Sequence, residues 1–412
     1  MNRQPPGADL ETVFRDMSQD PFAAYRRLRE DYPLIEHPRL GWLVSRYRDV
    51  AHVLADPVFS TRAYARHLEP VLGRTIIQME GKEHADHRKV ISGALRGKAL
   101  HTDLAPSIAR TVRTLIRDFA PNGRTDLVAS FCRRLPVRVI LDLLALPQQE
   151  QSQFQRWYST FGPFMAAGHH DPDVAAAGLR ACEEMRTYLD AVVTKRRARP
   201  GTDLISRMCT ARVGGSTVSD EMVKNFSILL LSAGAETTDK ALSSLLCLLL
   251  DHPAQLAALR ADHSLIPAAL AETLRHSPPT HLVFREATEE VALSAGTVPA
   301  GAQVACLLGA AGRDPERYTD PDRFDITRDD LDPDRAFGAG ADHVALGLGR
   351  HFCVGAALAR AETEIGLSEL LNTLPDLRYA DGFIPSSTGV LAHAPARLLV
   401  TFSPVRPRAG SM

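Results

Sequence analysis

The sequence has almost no net charge and no closely spaced cysteines. Lys and Arg number 48 and Asp and Glu number 49, so the formal net charge is −1. No long-range field therefore draws the chain to nucleic acid, and any partner must dock on a local patch. The six cysteines lie far apart without a Cys-x-x-Cys pair, which disfavours a disulfide framework and a Cys-rich zinc site.

The first residues also lack the apolar stretch of a targeting segment. Met1 to Asp16 mix charges, glycine and two prolines, with no hydrophobic run behind a basic tip. This composition is typical neither of a secretion signal nor of a membrane anchor. We therefore expect a cytoplasmic protein without a membrane span.

The overall composition is that of a globular chain. Its 412 residues are 45% hydrophobic and 24% charged, which supplies a deep core and excludes disorder as the dominant state. No internal repeat and no low-complexity linker is visible. We predict a single domain over residues 21–403, an N-terminal extension at 1–20 and a C-terminal tail at 404–412.

Apolar residues at three- and four-residue spacing predict a mainly α fold with small β-sheets. The longest helix, about Ser219 to Asp251, is apolar around most of its circumference, so we expect it to run through the centre of the fold. The predicted helices cover 105–120, 126–145, 175–197, 219–251, 265–277 and 354–373. The predicted strands cover 42–45, 291–305 and 390–402.

A glycine-rich window surrounds one cysteine, Cys353. Gly347, Gly349 and Gly355 permit positive φ and close approach of the backbone to a flat group, and a helix follows from Val354. The amides and dipole at a helix N-terminus stabilise a thiolate, which is the form that binds metal or attacks carbon. The same window also fits a glycine-rich turn with an incidental buried cysteine.

The window resembles the haem-ligand signature of the cytochrome P450 family, Phe-Gly-x-Gly-x-His-x-Cys-x-Gly. Leu346 stands where the family usually has Phe, and the other defined positions match, including His351 and Gly355. The resemblance implies haem b with Cys353 as the axial thiolate on the iron. It also implies the triangular family fold, with haem held between the long central helix and the helix after Cys353.

The long central helix carries a second motif, Ala-Gly-Ala-Glu-Thr-Thr. Ala233, Gly234 and Thr237 place two minimal side chains one turn from a hydroxyl, which leaves room for a ligand. The Thr237 hydroxyl can bond back to the carbonyl four residues earlier and bend or open the helix. By itself the motif fits a small-residue helix crossing equally well. Its match to the family pattern implies that Glu236 and Thr237 are the catalytic acid and alcohol that manage protons.

Further residues follow from the resemblance. His84 and Arg88, four apart on a predicted helix, match the family's propionate site, and the resemblance sends Arg285 and His351 to the propionates as well. Glu272, Arg275 and Arg323 resemble the structural Glu-Arg-Arg cluster of the family. The expected pocket wall is mostly apolar and comprises His281, Val283, Arg62–Met79, Phe161–Met165, Leu230 and Val390–Leu391.

The resemblance implies a soluble, bacterial-type haem-thiolate monooxygenase of secondary metabolism. Such an enzyme inserts one atom of dioxygen into a hydrophobic small organic molecule by hydroxylation or epoxidation. Electrons would come from NAD(P)H through a separate ferredoxin reductase and ferredoxin, docking on a basic patch. The patch comprises Arg88, Lys89, Arg96, Lys98, Arg350 and Arg360. Two alternatives stay open: oxidative C–C or C–N coupling without oxygen retention, and a non-catalytic haem-binding or carrier-recruiting protein.

Overall fold

Helices make up most of the fold. The computed structural model describes residues 7–17, 20–167, 171–389 and 391–405. The α-helices are α1 (Gly7–Asp16), α2 (Pro21–Asp31), α3 (Tyr47–Ala55), α4 (Ala63–Leu72), α5 (Gly81–Ser92), α6 (Gly97–Ala99), α7 (Ala105–Phe119), α8 (Arg134–Leu143), α9 (Gln151–Tyr158), α10 (Phe161–Ala167), α11 (Pro172–Ala198), α12 (Leu204–Thr210), α13 (Asp220–Asp251), α14 (Pro253–Ala261), α15 (Ile266–His276), α16 (Leu308–Ala311) and α17 (Ala356–Thr373). Short π or 3-10 turns cover Leu100–Leu104, Ala120–Asn122, Val128–Cys132, Gln148–Glu150, His263–Leu265 and Gly349–His351.

The strands are short and form small sheets. They are β1 (Leu34–His37), β2 (Gly41–Val44), β3 (Phe59–Ser60), β4 (Arg124–Asp126), β5 (Arg212–Val213), β6 (Ser216–Thr217), β7 (Leu282–Ala287), β8 (Val291–Leu293), β9 (Gly296–Val298), β10 (Gln303–Leu307), β11 (Arg378–Tyr379), β12 (Ser387–Thr388), β13 (Ala394–Pro395) and β14 (Leu399–Thr401). The largest sheet has the order β1-β2-β10-β7-β3, in which β2 and β10 are parallel and the other pairs are antiparallel. The register of β7 against β10 places Arg285 opposite Val304.

The long helix α13 occupies the centre, as its all-round apolar pattern predicts. The Ser219 side chain caps it by accepting from the Met222 amide at 3.2 Å, and acidic Asp220 and Glu221 follow in the first turn. It packs against α8, α11, α15 and α17. Among the residues that the structure describes, no single helix is long and apolar enough to cross a bilayer; α13 and α14 satisfy that test as a pair bent by 106°.

The mainly α fold with small sheets is confirmed, with differences in detail. The predicted helix at 126–145 is divided into a π turn at Val128–Cys132 and α8, and the predicted strand at 291–305 is the β8–β9 hairpin followed by β10. Helix α1 lies in the expected N-terminal extension and packs Val13 and Met17 beside Tyr25. The division into extension, domain and tail stays a prediction, and residues 406–412 of the tail lie outside the described part of the chain.

Candidate active site

Cys353 lies between the Gly349–His351 turn and the first residue of α17. Its amide donates to the Leu346 carbonyl at 2.8 Å, which closes the loop around the sulfur. Burial raises the pKa of the Cys353 thiol, while the Gly355 amide, the Arg88 guanidinium and the Ala356 amide act in the opposite direction. The sulfur therefore faces two amide donors and a cation, which are the partners that stabilise a thiolate.

Two glycines give the cysteine loop its path. Gly347 and Gly349 have φ values of 70° and 64°, which L side chains rarely adopt. A Cβ on Gly349 would lie 3.1 Å from the Cα of Ala55, so the loop also packs tightly against the end of α3. These glycines therefore set the path of the loop that carries Cys353 and its packing against α3.

Helix α13 presents Thr237 and Ala233 together. The Thr237 hydroxyl donates to the Ala233 carbonyl at 2.8 Å, as predicted, but α13 is α-helical throughout and does not open there. Ala233 is exposed to the space beside the helix. The small size of Gly234 serves the crossing of α13 with α8, because a Cβ there would lie 3.0 Å from Cδ1 of Ile140; its expected place beside the cofactor stays a prediction.

Glu236 lies on the flank of α13 next to Thr237. One of its oxygens is 3.7 Å from Nζ of Lys240, and its side chain is 33% exposed. The same oxygen would be 3.2 Å from a Cβ on Gly162 at the start of α10. Lys240 and Gly162 thus confine the carboxylate from two elements; Gly162 lies in the predicted wall segment Phe161–Met165, whereas Lys240 was not identified from the sequence.

Four cationic or imidazole side chains come together near the cysteine loop. His84 and Arg88 share α5, and the rings of His84 and His351 have centroids 4.3 Å apart. Arg88 donates to the Phe352 carbonyl at 2.6 Å. Arg285 is buried on β7. The pKa of His351 is lowered mainly by burial, and the Arg285 guanidinium lowers it further. Burial, followed by His351 and Arg88, lowers the pKa of His84 to about 4, so this imidazole is neutral near pH 7.

Glu80 joins this group to the cysteine loop and was missed by sequence reasoning. It accepts from the Thr61 amide at 2.7 Å and pairs with Arg350 at 2.7 Å and His351 at 3.5 Å. Burial alone would raise the pKa of Glu80, but the hydrogen bonds from His351, Arg350 and Thr61 outweigh it and hold the pKa well below its usual range. Glu80 is the extended residue just before α5, and no periodic pattern marks it.

These residues fit a haem group. Nε2 of His84 is buried and has no partner among the described residues, so a donor or acceptor is available there for a propionate. Arg88 and Arg285 lie in the same region and would balance the propionate charge, and the His351 imidazole would supply a hydrogen bond. Cys353, just before α17, would supply a thiolate to the iron, and α17 packs against α13, the helix that carries the small Ala233.

The structural Glu-Arg-Arg cluster forms, but with a different third member. Arg275 pairs with Glu272 through Nε at 2.6 Å and a second nitrogen at 2.7 Å, both side chains being buried. Nε of Arg328 completes the cluster at 2.9 Å from Glu272. The prediction of Arg323 was wrong, because its side chain is 67% exposed and pairs with Asp325, while its carbonyl accepts from Arg275.

Part of the expected pocket wall is core. His281 is fully buried and its Nδ1 lies 3.0 Å from the Tyr25 hydroxyl, and Val283 packs in the apolar cluster around Val44. Phe284, which follows Val283 on β7, contacts Tyr64 of α4, whose hydroxyl lies 2.9 Å from the Phe284 amide. Val390 and the Met165 side chain lie outside the described part of the chain.

The expected basic patch is smaller than its composition indicated. Arg350 pairs with Glu80 at 2.7 Å, Arg360 pairs with Glu364 at 2.6 Å, and Lys89 lies 3.4 Å from Asp86. Arg88 is partly buried against the cysteine loop. Arg96 and Lys98 are exposed, and no ion pair of either is found within the described ranges.

Comparison with known proteins agrees with this site. The profile of the cytochrome P450 family matches residues 154–375. The pulcherriminic acid synthase of Bacillus subtilis is 35% identical over 95% of this chain and 98% of its own. The erythromycin C-12 hydroxylase of Saccharopolyspora erythraea is 35% identical over 84% of each chain. The crystal structure of CYP109E1 from Bacillus megaterium with testosterone superposes with a TM-score of 0.81 at 30% identity, covering 93% of this chain and 99% of that one.

The glycine-bounded cysteine loop, the imidazole and guanidinium side chains beside it and these similarities define a haem-thiolate enzyme. The chain belongs to the cytochrome P450 family. It is a monooxygenase of the bacterial type, and the expectation of that enzyme class is confirmed.

Proposed function

We propose that this protein inserts one atom of dioxygen into a hydrophobic small molecule of secondary metabolism, by hydroxylation or epoxidation. The observation that carries the proposal is the placement of the Cys353 sulfur among two amides and Arg88, just before α17, which packs against the Thr237-bearing helix α13. A named relative hydroxylates erythromycin, and a structural neighbour holds testosterone. Both similarities support a bulky, largely apolar substrate.

The site residues divide the work between holding the cofactor and moving protons. Cys353 would ligate the iron, with Gly355 and Ala356 amides supporting the thiolate, and His84, Arg88, Arg285 and His351 would hold the propionates. Haem bound in this way supplies the chemistry that activates dioxygen.

Proton delivery is assigned to α13. The Glu236 carboxyl, one-third exposed, takes protons from solvent and passes them through water to the Thr237 hydroxyl. In the resting protein this hydroxyl donates its hydrogen bond to the Ala233 carbonyl. Ala233 leaves space for substrate beside the helix, while Gly234 supports the helix crossing with α8.

Electron supply is assigned to separate proteins. The proposed route runs from NAD(P)H through a ferredoxin reductase to an acidic ferredoxin in the cytoplasm. Arg96 and Lys98 are exposed beside α5, and Arg96 lies close enough to Arg88 to contribute to the lowered pKa of that guanidinium, after burial. This short basic surface next to the cysteine loop supports docking of an acidic partner.

The test is a Cys353→Ala variant, with Cys247→Ala as the matched control. Cys247 lies on α13 beside Tyr379 and outside the candidate site. The carbon monoxide difference spectrum of the reduced wild type and of Cys247→Ala should show the thiolate-type band, and Cys353→Ala should lose it together with activity. A persistent thiolate band in Cys353→Ala would overturn the assignment. Labelled dioxygen recovered in the product checks that the oxygen atom is retained.

A further inference from the structure

A polar flank runs along the otherwise apolar helix α13. Glu236, Asp239, Lys240 and Ser243 are spaced by three and four residues and so share one side of the helix. Glu236 is the member next to Thr237, and Asp239 lies one turn further along. The Asp239 side chain is 10% exposed, and one of its oxygens accepts from the Ser243 hydroxyl at 3.2 Å. The proposed proton route has no use for this buried carboxyl.

The charged neighbours of Asp239 are few and come from known elements. Arg133, at the start of α8, places its Nε 3.7 Å from the second carboxyl oxygen, and its side chain is 48% exposed. Lys240 and Glu236 are the charged residues of the same flank, and Glu236 is close enough to act on Asp239 electrostatically. Burial raises the pKa of Asp239 to about 6, against the opposing effect of Arg133 and Lys240.

Two uncharged titratable groups complete the surroundings of Asp239. Tyr158, from the last turn of α9, is buried, and burial raises the pKa of its phenol well above the usual range, with Asp239 as the next cause. Cys132, from the π turn at Val128–Cys132, is fully buried, and burial likewise raises the pKa of its thiol. Both groups keep their protons near neutral pH, so Asp239 is the group in this cluster that gains and loses one there.

The contact between Asp239 and Arg133 is too loose for a purely structural ion pair. At 3.7 Å it exceeds hydrogen-bond length, whereas the buried pair of Glu272 and Arg275 closes to 2.6 Å. A buried carboxyl without a tight cation costs stability and is retained where it has a use. Arg133 also stands half in solvent, so the cluster reaches from bulk water to the flank of Glu236.

We propose that Asp239 is a second acid, which returns protons to Glu236 after that residue has released one toward Thr237. This inference rests on the proposed roles of Glu236 and Thr237. A proton leaves the Asp239 carboxyl, crosses one or more waters and binds the Glu236 carboxylate, which becomes neutral as Asp239 becomes anionic. Solvent beside Arg133 then reprotonates Asp239, and no electron is transferred. Asp239 acts through Glu236 and is therefore a positioning and supply residue.

The experiment uses the haem-loaded full chain with Asp239→Asn, Asp239→Glu, Glu236→Gln and, as matched control, Asp251→Asn. Asp251 ends the same helix, where it accepts from Tyr379 at 3.0 Å. Infrared spectra of the resting protein, recorded without turnover, report protonated carboxyl groups as a function of pH. Wild type and Asp251→Asn should show a band that disappears with a midpoint of about pH 6, separate from the band of the buried Glu362 carboxyl, whose midpoint is about pH 8. Asp239→Asn should lack the band with the midpoint of about pH 6, and Asp239→Glu should keep a corresponding band.

Turnover under saturating substrate supplies the second measurement. We expect the wild-type rate to fall as pH rises through about 6, because a proton donor is lost, and Asp239→Glu to keep an inflection. Asp239→Asn should be about tenfold slower at low pH, with the inflection gone and a larger solvent deuterium isotope effect.

Two outcomes overturn the role of Asp239 while leaving the proton route proposed for Glu236 and Thr237 intact. Either the infrared band survives in Asp239→Asn, or rate, isotope effect and pH profile of that variant equal those of Asp251→Asn while Glu236→Gln remains impaired. If Glu236→Gln also behaves as wild type, the proton route proposed for Glu236 and Thr237 fails as well. The two failures are therefore distinguishable in one set of variants.

Discussion

At the scale of single residues, two hydroxyls on α13 make the same bond in different surroundings. Thr237 donates to the Ala233 carbonyl at 2.8 Å, and Ser232 donates to the Ile228 carbonyl at 2.9 Å. The bond alone therefore has no functional meaning, since both satisfy a helix carbonyl. What distinguishes Thr237 is its position one turn from the exposed Ala233 and next to Glu236.

Thr237→Ala tests that distinction, with Ser232→Ala as the matched control. We expect Thr237→Ala to bind haem normally but to divert NAD(P)H equivalents to peroxide, lowering the product formed per NAD(P)H by about tenfold. Removing the Ser232 hydroxyl should leave this ratio unchanged. The ratio is measured from NAD(P)H consumption, product and peroxide in one reaction. Equal ratios in wild type and Thr237→Ala would rule out the assigned role.

Glu362 on α17 gives a residue-scale prediction about stability. It is buried, its Oε2 has no partner within the described ranges, and burial raises its pKa to about 8. The folded state therefore keeps a proton that the unfolded state releases above the usual value of 4.5. Because the folded pKa is raised, stability is favoured at low pH and falls as pH rises from about 4.5 to about 8.

Glu362→Gln should remove this loss of stability at high pH. We expect the variant to gain stability relative to wild type as pH increases, by less than about 5 kcal/mol at pH 8. Glu364→Gln, on the same helix but paired with Arg360, should not show such a gain. Denaturant unfolding at a series of pH values measures the difference. A difference between variant and wild type that is constant with pH would contradict a raised pKa.

At the scale of elements, Glu80, the residue just before α5, connects the cysteine loop to α5. Glu80 accepts from Thr61 and pairs with Arg350 and His351, so one carboxylate aligns β3, α5 and the Gly349–His351 turn. Glu80→Gln would leave Arg350 without its anion and release His351. We expect haem to dissociate several-fold faster, measured by transfer to an excess of apomyoglobin. Glu83→Gln, which loses the exposed contact with Arg74, should retain haem as wild type does.

The cluster around Glu272 connects α15 to the loop that follows α16. Arg328 has 7% of its side chain exposed and closes on Glu272 at 2.9 Å, whereas Arg323 is 67% exposed. We expect Arg328→Ala to reduce the free energy of unfolding by about 2 to 4 kcal/mol, because a buried carboxylate loses a cation. Arg323→Ala should change it by less than about 0.5 kcal/mol. Similar losses in both variants would show that the exposed arginine also belongs to the cluster.

At the scale of the whole molecule, features set by local sequence were predictable, and contacts between distant segments were not. The apolar pattern of α13 and the glycines around Cys353 define their local structure through helix period and backbone freedom, so both could be predicted from the sequence. Arg323 and Arg328 lie five residues apart in one loop, and no period decides which of them turns inward. The role of Glu80 could not be predicted from the sequence either, because its partners come from separate elements. The contact of Gly234 with Ile140 could not be predicted either, since the crossing of two helices depends on packing and not on sequence spacing.

Partner docking is a property of the whole surface and gives the last prediction. Most cations of the expected basic patch are paired with a neighbouring carboxylate or partly buried, which leaves Arg96 and Lys98 as its exposed cations without an ion pair in the described ranges. The double variant Arg96→Glu and Lys98→Glu should raise the Kd for an acidic ferredoxin by about tenfold at low salt, and the difference from wild type should shrink as added salt screens the charges. Arg110→Glu, on the exposed face of α7, is the matched control and should bind as wild type does. Binding titrations at several ionic strengths measure both effects. A double variant that binds like the control at every salt concentration would place the electron-donor surface elsewhere on the molecule.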